Sequence, residues 1–431
     1  MDPQPAATDT NQLYAIVDYT DDKEYVQPLI LAAIRSHLPH VTIVDDTATT
    51  LPHTARQIHW KSYESLDFTH TLSHPTTALC NAYVIRKALI RKHYLLHTVD
   101  SYLRKQPSSI LKSAVPTAVA FEVDYAEFLD EALQEAYELT ESLSANEEKQ
   151  PQDRQWWILK PGMSDRGAGI RLFSSLSDLQ AIFESWEEDT DDEDDDDTNG
   201  VGDGIVTSRL RHFVAQEYVA PMLLTPHSAS PPRKFHIRTY ILAVGALAVY
   251  VYRPMLALFA AKPYTHPSSN TNTTDGTPFD ATTADLAAHL TNTCLQSGAH
   301  DGAVLPFWSL PSTHAVTNDT LERWFREICD VTGDLFRAAV GGGRVHFQPV
   351  PNAFEVFGVD FLVGEDGVVR LLEVNAFPDF RQTGEELMGL VGGLFEEVVD
   401  VAVSNFFGGE GGGEMGSERM VKVLEMQVGG F

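Results

Sequence analysis

Three oxygen-bearing side chains interrupt strongly apolar segments toward the end of the chain. Phe354–Pro378 reads FEVFGVDFLVGEDGVVRLLEVNAFP, with Asp360 inside VDFLV and Glu373 and Asn375 inside LLEVN. Gly364–Gly367 is a turn between two strands. A two-residue loop at Glu365–Asp366 places Asp360 on one face with Leu371, Glu373 and Asn375. An unpaired buried ion costs several kcal/mol, and two carboxylates about 4 Å apart repel by roughly 4 kcal/mol at an effective dielectric near 20. A divalent cation reverses both effects. Aspartate, glutamate and asparagine supply hard oxygen ligands, which suits Mg²⁺ bridging substrate phosphates. The competing reading is a salt bridge from these acids to arginines of the segment described next.

That segment, Arg233–Arg253, reads RKFHIRTYILAVGALAVYVYR. A two-residue turn at Gly245–Ala246 pairs Val244 with Leu247 and sets Arg238 opposite Arg253. Lys234, His236 and Arg238 lie two residues apart and share one face, with Phe235 and Ile237 on the other. Like charges facing each other destabilise a sheet unless an anion lies between them. A solvated face is the alternative, but the apolar neighbours favour an anion site, and a polyphosphate fits it.

A third candidate is the loop after the strand WWILK. Lys160 ends that strand, and Gly162-Met-Ser164-Asp-Arg166-Gly167-Ala-Gly169 follows. Small residues let backbone N–H groups approach phosphate oxygens, and a strand-end lysine reaches the same oxygens. The loop lacks the GK[ST] ending of a P-loop and the GxSxG of a serine-hydrolase elbow, so by itself it reads equally as a plain turn. Val214–Val219 (VAQEYV) is a short strand able to line an adenine slot with backbone groups.

Several elements must position these groups. Leu13–Asp18 and Val41–Asp45 read as strands around a helix at Val26–His37, a βαβ-like opening. Apolar residues recur at helical spacing over Leu79–Lys105. There His93 and His97 lie one turn apart without an HExxH arrangement and read as ordinary helix-surface histidines. Tyr125–Leu143 reads as a helix and Ala145–Asp153 as a linker. Trp156–Lys160 and Ile170–Phe173 read as strands, and Leu176–Trp186 as a helix running into an acidic tract. That tract and the polar stretch Pro263–Thr283 read as solvated insertions. Gly408–Gly413 is a break before a short amphipathic end.

The 431 residues carry a net charge of −30, and the run Glu187–Asp197 supplies ten of the acids. Even without that run the charge stays near −20, which disfavours nonspecific nucleic-acid binding. Three scattered cysteines form no CxxC pair, against a disulfide framework or zinc site. No apolar run reaches the roughly 20 residues that span a bilayer, and the N-terminus shows no secretory pattern, so a cytoplasmic protein is expected.

The motifs WILKPGMSDRGAGI, VAQEYV, RKFHIRTY, HLTN and FGVDFLV…LLEVNAFP occur in the order seen in the tubulin–tyrosine ligase-like family of the ATP-grasp superfamily, which the stretch Trp156–Pro378 resembles. The resemblance implies an α/β (α+β) ATP-grasp fold, with antiparallel sheets sandwiching ATP. Together with the βαβ-like opening, it sets a small N-terminal α/β subdomain at 1–75, a central subdomain at 76–219 with the acidic insertion 187–204, and a C-terminal subdomain at 220–431 with the polar insertion 263–284 and the tail 408–431.

By the same analogy a substrate carboxylate attacks the γ-phosphate of ATP, and an amine displaces phosphate from the acylphosphate. Lys160 and the loop residues Ser164, Arg166, Gly167 and Gly169 would hold phosphates. Gln216, Tyr218 and Val219 would form the adenine hinge. Lys234, Thr291, Asn292 and, more loosely, Lys92 would contact the nucleotide. Asp360, Glu373 and Asn375 would coordinate Mg²⁺, with Glu373 counted as catalytic too. Arg238 would stabilise the transferring phosphoryl group, and Arg253 would bind the incoming amino acid or acylphosphate. His236 and Glu217 stand where the family commonly has aspartate and lysine.

The implied acceptor is a protein carboxylate, by default a tubulin C-terminal tail. Free tyrosine is the favoured donor, because polymodifying relatives tend to carry a long basic extension and this chain ends in an acidic, glycine-rich tail. A glutamate or glycine ligase on another acceptor, or a nucleotide-binding adaptor that modifies no tubulin, are the alternatives.

Overall fold

The computed structural model of the chain describes residues 12–44, 51, 55–163, 167–191, 210–226, 230–269, 280–282, 286–291, 304–312, 316–342, 345–383, 387–408 and 417–427. Three sheets carry the architecture. The first is parallel, in the order β2-β1-β3-β4, and comprises β1 (Leu13–Asp18), β2 (Thr42–Val44), β3 (Arg56–Lys61) and β4 (Ala78–Cys80). The helix Val26–His37 joins β1 to β2 and buries Val26, Ile30, Ala33 and Ile34, one apolar stripe at helical spacing. The opening βαβ unit expected from the alternation is present.

The second sheet is antiparallel, in the order β5-β8-β6-β7, and comprises β5 (Ala118–Glu122), β6 (Trp157–Pro161), β7 (Arg171–Phe173) and β8 (His212–Glu217). Helices Tyr137–Asn146 and Leu176–Asp191 cover one face of it around Phe183, Trp186 and Phe213.

The third sheet has eight strands, all paired antiparallel, around one long strand. They are β9 (Leu223–Leu224), β10 (Arg233–Val244), β11 (Ala248–Tyr252), β12 (Leu256–Phe259), β13 (Val304–Pro306), β14 (Phe354–Val363), β15 (Val369–Asn375) and β16 (Met420–Glu425). The spine is β10. It pairs with β14 along one side, and with β11 and β12 in succession on the other. The helix Asn318–Gly341 packs on one face, burying Leu321, Trp324, Phe325, Ile328, Val331, Leu335 and Phe336. Thr317 caps it, its hydroxyl accepting the Thr320 N–H (3.2 Å). Each such apolar side chain contributes about 1.5–3 kcal/mol on leaving water, so this face is committed to the core and the other is left for chemistry and for packing on the parallel sheet.

Several local expectations change. The stretch 79–105 is not one helix. Its start pairs with β3 as β4, and two helices follow, Lys87–Ile90 and Lys92–Lys105, separated by Arg91 in an extended conformation. The stretch 125–143 breaks into short turns before Tyr137, because Ala136 leaves helical dihedrals (φ −91°, ψ 53°). The chain end closes as a strand, with β16 pairing β11. Among the described residues no helix is long and apolar enough to cross a membrane.

Both hairpins differ in register from the two-residue turns expected. Val244 faces Ala248, not Leu247, because Leu247 drops into the core (3% exposed) and adds a residue to the turn. Arg238 therefore faces Leu256 on one side and Asp360 on the other, and Arg253 lies beyond the end of β11. In the second hairpin Val363 faces Val369 across a five-residue turn, held by Gly364 N–H to Val368 O (3.0 Å) and by the Asp366 carboxylate on the Val368 N–H (3.0 Å). Gly367 there has φ 76°. An irregularity between Asp360 and Phe361 then shifts the pairing by one, so Asp360 faces Glu373 while Leu371 faces Phe361 and the core. Asp360, Glu373 and, two residues on, Asn375 share the open face. Leu371 does not.

Candidate active site

Residues of the second and third sheets line one cleft that opens to solvent. β6 and β7 contribute Ile158, Lys160 and the neighbouring Ile170. β8 and its exit contribute Gln216, Tyr218 and Val219. β10 contributes Lys234 and His236, and β14 and β15 contribute Asp360, Leu362, Leu372 and Glu373. Thr291 closes the remaining side with His289. The exit of β8 is tied to the tip of the β14–β15 hairpin by Glu365 N–H to Ala220 O and Met222 N–H to Val363 O (both 2.9 Å), which keeps the two sheets in step.

Cations and carboxylates alternate through this cleft. Arg238 grips Asp360 with both Nε and Nη2, the latter at 2.9 Å, and the two are nearly buried. Burial works against charge on both. The Arg238 guanidinium, with His236 beside it, nevertheless holds the Asp360 carboxyl well below the usual carboxylate range, and Asp360 raises Arg238 in turn. His236 is 2% exposed, with Nδ1 on the Thr291 hydroxyl and Nε2 3.3 Å from Asp360 Oδ1.

The lysines face different surroundings. Lys160 donates to the Gln216 side-chain oxygen, and burial pushes it down to about 8 against the pull of Glu373. Lys234 lies 4.6 Å over the Tyr218 ring, and burial pushes it down to about 7, with Lys160 adding repulsion. The Tyr218 hydroxyl pairs with His289 Nδ1 (2.9 Å), while its backbone N–H donates to Trp156 O (2.8 Å).

Most residues singled out from the sequence converge here. Lys160, Gln216, Tyr218, Val219, Lys234, Thr291, Asp360 and Glu373 line the one cleft. Arg238 reaches it through Asp360, and Asn375 through its amide on Glu373 (Nδ2 to Oε1 3.4 Å). Lys92 lines an adjoining hollow with Lys160 and Gln216. Gly167 and Gly169 take left-handed dihedrals (φ 83° and 69°), which a side chain would strain. Ser164, Arg166 and Asn292 lie outside the described residues.

Arg253 does not join them. Its guanidinium pairs with Glu322 and lies over the rings of Trp308 (4.3 Å) and Phe325 (4.8 Å), with the helix Asn318–Gly341 on the opposite face from Arg238. The expected Arg238–Arg253 juxtaposition is thus replaced by Arg238–Asp360, the salt-bridge arrangement that competed with a metal set for the same acid. His93 also differs from a helix-surface residue. It is buried and stacks on His212 (4.4 Å between centroids, 14° between planes), whereas His97 is exposed.

The donor set suits a hard cation. Asp360, Glu373 and Asn375 present oxygens on one face, and a carboxylate gripped by one arginine retains lone pairs. Among the described residues no group of three or more His, Cys, Asp or Glu is placed to hold a metal; the set here is two carboxylates and one amide. His289, Leu362 and Leu372 were not singled out in the sequence. Leu372 enters the cleft because of the irregular pairing near Asp360, which leaves no sequence mark.

Two sheets closing on a cleft with buried lysines and an arginine–carboxylate pair define the ATP-grasp class, a nucleotide-binding fold. The structure superposes on the C-terminal domain of K. lactis Pby1, described as an ATP-grasp enzyme interacting with the mRNA decapping enzyme Dcp2. The TM-score is 0.69 and the identity 36%, over 96% of this chain and 99% of that one. Within the class the chain belongs to the tubulin–tyrosine ligase family, whose profile matches residues 71–409. It is 41% identical over 399 residues to a "probable tubulin–tyrosine ligase" of Schizosaccharomyces pombe, covering 91% of each. It is also 41% identical over 420 residues to the "probable tubulin–tyrosine ligase" PBY1 of Saccharomyces cerevisiae, covering 92% of this chain and 53% of that one. The chain thus spans about half the length of the budding-yeast relative. Human tubulin monoglycylase TTLL3 matches at 24% identity over 58% of this chain and 29% of its own.

Proposed function

We propose that this chain is an ATP-dependent ligase that joins an amino acid to a protein carboxylate through an acylphosphate, in the manner of tubulin–tyrosine ligases. The observation that carries the reading is the facing of Lys160 on one sheet by Lys234, Arg238, Asp360 and Glu373 on the other, across a single cleft. Phosphoryl transfer depends mainly on positioning and charge neutralisation, and this arrangement supplies both without a nucleophilic side chain.

In this reading adenine lies between Ile158 and the leucines Leu362 and Leu372. The Tyr218 N–H is engaged with Trp156, so Val219 is the hinge residue that meets the base. Lys160 and Lys234 neutralise the phosphates. Glu373, Asn375 and Asp360 would hold Mg²⁺, which when bound screens the phosphate oxygens. Arg238, aligned by Asp360, faces the transferring group. Arg253, paired with Glu322, is assigned no role in this reading. The acceptor carboxylate approaches beside Glu373 and Asn375, where Arg91 and Lys92 line the opening and give a chain of net charge −30 a locally cationic entry for an acidic peptide.

The test is labelling. Purified protein with Mg-ATP and labelled tyrosine is expected to label tubulin pretreated with carboxypeptidase, and Glu373→Gln to abolish turnover while the fold is retained. No labelling with tyrosine, glutamate or glycine on any acceptor would leave a nucleotide-binding adaptor. K. lactis Pby1 interacts with Dcp2, which favours that second reading, with a partner other than tubulin.

A further inference from the structure

A ring nitrogen in the cleft lacks a bond that its burial calls for. His236, on β10, lines the cleft and is 2% exposed, and its Nε2 has no hydrogen-bond partner among the described residues. Leaving a buried polar atom unmade is costly, and in a ligand cleft such an atom points to what the cleft holds. Asp360 Oδ1 lies 3.3 Å from Nε2, close enough for an ion pair, yet the two form no hydrogen bond. A proton on Nε2 has no acceptor in line with it.

The other ring nitrogen fixes the tautomer. Nδ1 meets the Thr291 hydroxyl. With the ring proton assigned there, Nδ1 donates to Thr291 Oγ, and Nε2 presents a lone pair beside a carboxylate oxygen. Two lone pairs so close repel unless a cation lies between them. Histidines that bind metals commonly donate their second ring N–H to an oxygen, which holds the ring in place. Thr291 provides that oxygen. Adjacent ligands of a six-coordinate cation with bonds of about 2.1 Å stand about 3 Å apart, so Nε2 and Oδ1 are spaced as neighbours in one shell. Arg238 reaches Asp360 through Nε on Oδ1 and Nη2 on Oδ2, which leaves each oxygen a lone pair. Among the described residues no three His, Cys, Asp or Glu form a metal cage. Two protein donors suffice where phosphate oxygens and water complete the shell.

We propose that His236 is a cation ligand beside Asp360, and that its nitrogen gives the nucleotide-bound cation site a preference for Mn²⁺ over Mg²⁺. Carboxylate, phosphate and water oxygens suit both ions, whereas an imidazole nitrogen suits transition metals. The family commonly has aspartate at this position, so the nitrogen is this chain's own addition to the donor set. The proposal rests on the cleft being the ATP site.

Pulsed EPR of the full chain tests it, with Mn²⁺ and the non-hydrolysable analogue AMP-PNP on protein whose histidine is enriched in the heavy nitrogen isotope. The label separates a histidine ligand from the nitrogens of adenine. A coupling from labelled histidine to Mn²⁺ is expected. His236→Gln is expected to abolish it and to weaken Mn²⁺ binding about ten-fold, with Mg²⁺ binding changed less. His289→Gln, at the other histidine that lines the cleft among the described residues, is expected to keep the coupling, and it decides if the first variant fails to fold. Bound Mn²⁺ without a histidine coupling, a coupling that survives His236→Gln, or one lost in His289→Gln overturns the proposal and leaves the nucleotide site standing. Equal loss of Mn²⁺ and Mg²⁺ affinity in His236→Gln overturns the preference. No saturable binding of AMP-PNP by the folded chain overturns the ATP reading, and the proposal with it.

Discussion

Lys160 and Lys234 sit in one cleft with depressed basicity, at about 8 and about 7, and burial is the first cause for both. Phosphates placed beside them restore the preference for the ammonium forms. Nucleotide binding should therefore take up protons, and affinity should fall as pH rises through about 7 and about 8. Calorimetry at pH 8 in two buffers of different ionisation enthalpy measures the uptake directly. Lys234→Met is expected to reduce it, and equal heats in both buffers would refute the idea. Asp360 behaves oppositely. Held ionised by Arg238, it adds stability above the ordinary carboxylate range that is lost as pH falls through its lowered folded-state value.

At the scale of elements, the helix Lys92–Lys105 meets β8 through His93 stacked on His212, directly under the glycine loop. Gly162 N–H donates to His212 O (2.7 Å), and a Cβ on Gly162 would stand 3.1 Å from His93 Nδ1. Burial pushes His93 down to about 4, with His212 and His97 adding repulsion. His93 thus stays neutral when folded, while the unfolded chain takes up a proton below its ordinary value of 6.5. Stability from this contact is present above pH 6.5 and is lost as pH falls toward about 4. Denaturant melts between pH 7 and pH 4.5 should show that loss, and His93→Phe, which keeps a ring in the stack, should flatten it. Unchanged slopes would show that His93 does not titrate on unfolding.

The whole molecule places the cleft proposed for the nucleotide between the second and third sheets, so a ligand seated there touches both. A ligand that binds only the folded chain at one hundred times its Kd adds about 2.7 kcal/mol. Mg-ATP should raise the melting midpoint accordingly. Glu373→Gln should keep the wild-type midpoint without ligand and lose the part of the shift that needs magnesium. A full Mg-dependent shift in that variant would remove Glu373 from the cation set.

Much of this was readable in one dimension. Side chains alternate along a strand by covalent geometry, so the common face of Lys234, His236 and Arg238 follows from their spacing alone. The order of the motifs carries the family. Register across strands is another matter, because it depends on which side chains the core accepts. Leu247 buried in the turn moved Arg238 away from Arg253 and onto Asp360, and one irregular pair brought Asp360 opposite Glu373. The amino-acid sequence determined which charges each ribbon carries; only packing in three dimensions decided which of them face each other, since a single extra buried residue shifts every partner beyond it.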